Sequence, residues 1–212
     1  RLRGSRNSRT GDKIILLSFF MVTADAIREL RDETGVSVMQ CKRALEEAGG
    51  DREKALVILK KKGAEAAAKK DARSLNAGAV VSYIHSTGAV GVMIELACET
   101  DFVAKNSEFK QLAYDIAMHI AASKPEFIKK EDITEKDKSV AASVFEKEVE
   151  GKPADMKAKI LAGKLAAYFS ERVLMDQSFI KNPEIAVNTL INDAIQKFGE
   201  KIEIARFTRY AV

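Results

Sequence analysis

The stretch "IELACETDFVAKNSEF", Ile94 to Phe109, decides how this chain folds. Its first part alternates in hydropathy. Val90, Val92, Ile94, Leu96 and Cys98 fall on one face, while Gly91, Met93, Glu95, Ala97 and Glu99 fall on the other. A period of two with one apolar side predicts a half-buried strand. From Ser107 the period lengthens: Phe109, Leu112, Ala113, Ile116, Ala117 and Ile120 recur at helical spacing and predict a helix over 107–123. Between the two lies a short polar turn, Thr100 to Val103, with a phenylalanine beside an aspartate. A core phenylalanine belongs on the apolar face of an element, so Phe102 is set apart from the start.

Upstream, residues 78–85 form a second strand pattern, and Ser86-Thr87-Gly88 supplies the turn of a hairpin. Downstream, Met118 points away from the apolar stripe of the helix and His119 lies at the stripe's edge. Lys129 to Lys138 reads as a solvated segment, followed by helices near 137–149 and 155–172. "KIEIARFTRYAV" at 201–212 predicts a final strand, whose alternation slips around Arg206-Phe207 as at a bulge. Two strands, several helices and a closing strand make an α+β domain: a small antiparallel sheet packed by helices, over 78–212.

The N-terminal part differs. Residues 21–62 read as three short helices. Thr23 caps the first, which Thr34-Gly35 ends. Ser37 with Gln40 opens the second as a capping box, and Gly49-Gly50 closes it. Asp51 caps the third, and Lys60-Lys61-Lys62 suits a helix C-terminus before Gly63. The alanine-rich, charged residues 63–77 suit a semi-rigid helical linker. Residues 1–20 carry five basic side chains and one acidic one, then a short apolar run before Met21. They read as a non-native extension, or as a processed leader of the mitochondrial kind.

Composition narrows the function. The chain of 212 residues has 46% apolar and 31% charged residues, as in ordinary globular proteins. Outside residues 1–20, basic and acidic residues number 30 each, so bulk charge argues for no nucleic-acid partner. No run of about 18 apolar residues occurs, so no membrane-spanning helix is expected. Cys41 and Cys98 are isolated and read as reduced thiols in the cytoplasm. No phosphate-binding loop, zinc motif or nucleophile elbow is present, and neither cofactor nor metal is expected. Glu95, Glu99 and Asp101 could serve as acid–base carboxylates only if one pocket gathered them. A binding role is the better default.

Three segments carry a family resemblance: "LRDETGVSVMQCKRAL" (Leu30 to Leu45), "ELACETDFVAKN" (Glu95 to Asn106) and "AMHIAASKPEFI" (Ala117 to Ile128). In this order they resemble translation elongation factor Ts, from Met21 to the C-terminus. Gln40, Ala97 and Ser178 depart from the usual aspartate, asparagine and proline. The resemblance implies a ubiquitin-associated-like N-terminal domain and a guanine-nucleotide exchange factor for elongation factor Tu, with no catalytic residue of its own. Asp101 and Phe102, within Thr100 to Val103, match the pair that enters the partner and disturbs its magnesium, so that GDP leaves. Arg31, Met39 and Lys42 match the N-terminal docking surface, and His119 a second contact. The single core unit resembles short family members, which implies a homodimer, with Met93 and the final strand as candidate surfaces. A scaffold that uses its helical module to bind ubiquitin-like or helical ligands is the alternative from another class.

Overall fold

The computed structural model describes residues 22–146 and 153–212; the extension expected at 1–20 lies outside them. The chain separates into two compact units between Leu59 and Lys60.

The first unit holds α1 (Ala24–Thr34), α2 (Val38–Glu47) and the start of α3 (Arg52–Lys70). The N-cap signals at Thr23 and Ser37 act as expected. Thr23 Oγ1 accepts from Ala26 N, and Ser37 Oγ accepts from Gln40 N. Gly35, at φ 67°, ends α1 by donating its N–H to Arg31 O. The helices close over Leu30, Val36, Cys41, Ala44, Leu45, Ala55 and Leu59. Each buried leucine there contributes about 1.5–3 kcal/mol over an exposed one.

The third helix does not stop at its lysine run. It continues through Gly63 to Lys70. A Cβ at position 63 would stand 3.0 Å from Gln196 Oε1 and 3.6 Å from Asn192 O, so this glycine lies inside the helix against another segment and does not terminate it. Ala67 packs on the core of the second unit, and Lys70 Nζ donates to Ile195 O at 3.4 Å. The alanine-rich stretch expected as a semi-rigid helical linker is helical as far as Lys70, and Ala67 and Lys70 pack on its neighbour.

The second unit continues with β1 (Ala77–Ile84), β2 (Val90–Cys98), α4 (Asp101–Lys105), α5 (Ser107–Ser123), α6 (Glu135–Glu146), α7 (Ala154–Ser170), β3 (Ser178–Phe179), β4 (Asn182–Ala186), α8 (Val187–Phe198) and β5 (Ile202–Ala211). Strands β1, β2 and β5 form an antiparallel sheet with β2 in the centre, and β3 pairs with β4. Ala77 stands opposite Cys98, and Cys98 opposite Ile202. The slip expected near Arg206 is a bulge: Leu96 pairs with Ile204 and Glu95 with Arg206, leaving Ala205 over.

Val92, Ile94, Leu96 and Cys98 on the inner face meet Phe109, Ala113, Ile116 and Ile120 of α5, and Val187, Ile191 and Ile195 of α8. The α+β architecture is thus as expected, with α8 and the β3–β4 pair added between the seventh helix and the last strand. The segment expected to be simply solvated contains a 3-10 turn, Lys130–Asp132, and the start of α6.

Candidate functional site

The connection at the end of β2 is a short helix rather than an open turn. Thr100 adopts an extended backbone and caps α4, its Oγ1 accepting from Val103 N at 3.4 Å. Asn106 then caps α5, its Oδ1 accepting from Glu108 N at 2.8 Å. Five helical residues between two caps leave Asp101 and Phe102 facing outward and Val103 and Ala104 facing inward. Val103 and Ala104 are buried in the main core. Phe102 is 84% exposed, and Asp101 pairs only loosely with Lys105 at 3.6 Å. Of the four positions assigned to the intruding turn, Val103 is accordingly an anchor in the protein's own core. Asp101 and Phe102 are free to meet another surface, and Thr100 holds the helix that carries them.

A second layer fixes this helix from the α8–β5 corner. Glu200 Oε2 accepts from Glu99 N at 3.1 Å and from Thr100 N at 3.0 Å, and its Oε1 accepts from Thr100 Oγ1 at 2.6 Å. Glu99 in turn accepts from Lys201 N and from an Arg73 guanidinium nitrogen at 3.1 Å. The Lys201 amide, foremost, and then Arg73 hold the Glu99 carboxyl below the usual carboxylate range, although burial works the other way. Cys98 Sγ donates to Thr100 O at 3.3 Å from beneath. The Glu200 and Lys201 contacts join positions about a hundred apart, which no local pattern in the sequence announces.

His119 departs from its expected role as a direct contact, because it is wholly buried. Ile180 N donates to Nδ1 at 3.3 Å, so Nδ1 is an acceptor and the proton sits on Nε2, which donates to Gln177 Oε1 at 2.9 Å. Burial pushes its pKa down, with the Gln177 bond opposing. What this imidazole does is hold the β3–β4 hairpin against α5. Its position one turn beyond Ile116 already placed it beside the buried stripe.

The expected docking residues of the first unit are all at the surface. Arg31 lies on α1, and Met39 and Lys42 lie three positions apart on α2, where they share a face. The three carboxylates weighed as an acid–base group are not gathered. Glu95 binds Arg206 at 2.6 Å, Glu99 binds Lys201 N and Arg73, and Asp101 pairs with Lys105. Glu95 lines a shallow groove with Met93, Arg206 and Tyr210, away from the other two. Among the described residues no cluster of three or more His, Cys, Asp or Glu side chains could hold a metal ion, and no helix is long and apolar enough to cross a membrane.

An aspartate–phenylalanine pair thus faces solvent on a capped stub of helix. Comparison with known proteins gives the family. The sequence profile described as Elongation factor TS matches residues 37–212. The chain belongs to the elongation factor Ts family. The family's Carboxydothermus hydrogenoformans member is 48% identical over 192 residues, covering 90% of this chain and 88% of its own length. The Koribacter versatilis member is 48% identical over 195 residues, with the same coverage of both chains. The Thermotoga petrophila member is 44% identical over 191 residues, covering 90% and 96%. Membership makes the protein a translation elongation factor of this family.

Proposed function

We propose that this protein is a guanine-nucleotide exchange factor for elongation factor Tu, acting in the cytoplasm and using the Asp101-Phe102 pair as its probe. The observation that carries the proposal is the exposure of Phe102 on a helix whose next two residues are buried in the core. Leaving a large aromatic in water forgoes its burial energy in the free protein. That energy becomes available when a partner covers the ring.

The mechanism needs no reaction on this chain. An exchange factor binds the nucleotide-free partner more tightly than the GDP complex, and coupling is reciprocal: whatever factor it weakens GDP by, GDP weakens it by. Arg31, Met39 and Lys42 offer the first docking surface on the three-helix unit, which resembles a ubiquitin-associated domain. Phe102 then enters the partner's nucleotide-binding domain, with Asp101 beside it. Displacing the partner's magnesium removes the largest local charge that holds the GDP phosphates. His119 contributes from beneath, by holding the hairpin that presents Ile180 to solvent.

The test is direct. Elongation factor Tu is loaded with fluorescent GDP, an excess of unlabelled GDP is added, and the release rate is followed with and without this protein. Acceleration that saturates with its concentration supports the proposal; an unchanged release rate refutes it.

A specific surface also favours a homodimer. Val80, Ile84, Met93 and Tyr210 stand on the outer face of the sheet, each more than half exposed. Four large apolar side chains on one open face are more than isolated surface residues need. A second copy of the same face would cover them, and sedimentation velocity distinguishes one copy from two.

A further inference from the structure

Glu200 binds the two residues that lead into the exposed Asp101-Phe102 pair. It lies just past Gly199, whose left-handed backbone (φ 76°) ends α8 and turns the chain back toward the end of β2. Its side chain carries no contact to Asp101 or Phe102. Instead both carboxylate oxygens are occupied by the residues directly before them: the amides of Glu99 and Thr100 and the hydroxyl of Thr100. The Thr100 hydroxyl is thereby oriented. It donates to Glu200 Oε1 and so presents its lone pairs to Val103 N, the first bond of α4. The contact is reciprocal, because Glu99 accepts from Lys201 N and Lys201 Nζ reaches Asp71 O at 2.7 Å. Two carboxylates thus cross-tie two backbone corners: Glu200 binds the Glu99 and Thr100 amides, and Glu99 binds the Lys201 amide.

A five-residue helix does not hold its own shape in water. Without an external tie, α4 would fray at its first turn, where Asp101 and Phe102 sit. Val103 and Ala104 anchor its far side only. The near side is anchored by Glu200.

We infer that Glu200 is a positioning residue for nucleotide exchange: by binding the Glu99 and Thr100 amides and the Thr100 hydroxyl, it fixes the direction in which α4 presents Phe102. This rests on the exchange function proposed above. The tie acts by geometry, through hydrogen bonds, and its charge is secondary. Glu200→Ala removes all three bonds. Glu200→Gln keeps them: Oε1 accepts both amides, and Nε2 donates to the Thr100 hydroxyl, which still accepts from Val103 N.

The experiment measures, for the full chain and both variants, the maximal rate of fluorescent-GDP release from elongation factor Tu. It also measures affinity for the nucleotide-free and GDP-bound partner, and hydrogen exchange at the Thr100 amide. Glu200→Ala is expected to lower the maximal rate and the ratio of the two affinities about tenfold, the scale of one hydrogen bond to a charged group. Affinity for the GDP complex stays unchanged, and the Thr100 amide loses protection. Glu200→Gln restores the rate and the ratio.

Three outcomes overturn the inference. If Glu200→Ala releases GDP at the wild-type rate, the tie does not position the probe. If it weakens both affinities equally along with its melting temperature, Glu200 is only structural. If Glu200→Gln fails as badly as alanine while keeping its Thr100 amide protected, the charge matters and the geometry does not. Should the unaltered protein itself leave GDP release unchanged, the exchange function falls first and the inference falls with it. That result is distinct from wild-type activity retained in Glu200→Ala.

Discussion

Phe102 and Phe109 are seven positions apart and chemically identical, and truncating each to alanine should have opposite consequences. Phe102 is 84% exposed, whereas Phe109 is completely buried. An aromatic side chain can bury about 150–250 Å², so docking Phe102 would cover roughly 150 Å² that the free protein leaves in water. At about 25 cal/mol per Å² this is close to 4 kcal/mol. Fixing the ring on binding costs about 1 kcal/mol, and the alanine methyl keeps part of the remainder. About 2 kcal/mol is left, a factor of about 30 in affinity for the nucleotide-free partner. Phe102→Ala should therefore slow stimulated GDP release about 30-fold and leave thermal unfolding where it was. Phe109→Ala should destabilise the fold by about 3–5 kcal/mol, yet at a temperature where it is still folded it should stimulate release nearly as well as the parent. Stopped-flow release of fluorescent GDP and calorimetry on the same preparations give both numbers. The reasoning is refuted if Phe102→Ala stimulates like the parent, or if it melts several degrees lower. The second result would mean that the ring packs on its own domain.

Other perturbations test other parts of the molecule. Met93→Glu puts a charge in the middle of the exposed sheet face and should shift sedimentation from dimer to monomer without lowering the melting temperature of a dilute sample. Burial holds the His119 pKa below its ordinary value. The unfolded chain thus takes up a proton first as pH falls below about 6.5, and stability declines from there toward the lowered folded value; His119→Gln should flatten that slope in melting curves. Glu99 is likewise held low, so its contribution is complete above about pH 4.3 and is lost as pH falls through the folded value; Glu99→Gln should shrink that acid-side loss. Gly63→Ala should raise stability by up to about 1 kcal/mol, because only the flexible tip of Gln196 must move. Gly78→Ala should lower it, because the new Cβ would stand 2.6 Å from Leu96 O, a backbone atom.

The sheet and its neighbouring helix were legible because their periodicities are clean. The alternation from Val90 to Cys98 and the stripe from Phe109 to Ile120 place β2 and α5 where they are found. Gly63 misled because glycine next to lysines resembles a helix end, whereas here it is a contact with another helix 129 positions or more along the chain. "VNTLINDAIQKF" is a helix whose buried residues Val187, Ile191, Ala194 and Ile195 follow helical spacing and which Gly199 ends, a signal that the local pattern does carry. In the candidate site, Asp101 and Phe102 stood out by being misplaced for a core. Val103 looked like part of the same exposed turn because a five-residue helix is too short to show a period. The burial of His119 and the tie from Glu200 depend on residues 58 and 100 positions away, and only tertiary structure brings those together.

The position of β2 has a mechanical consequence. The Asp101-Phe102 pair proposed as the probe follows the end of the central strand, and that strand is laddered on one side to β1 from Ile84 to Ala77 and on the other to β5 from Ala211 to Ile202. Resistance met by Phe102 along the strand axis would load both ladders in shear. Their hydrogen bonds would then share the force side by side instead of parting one after another. An edge strand would have half that backing and could peel. A wedge transmits strain to what it enters only if its own mounting yields less, and the middle of the sheet is the stiffest mounting this small domain offers.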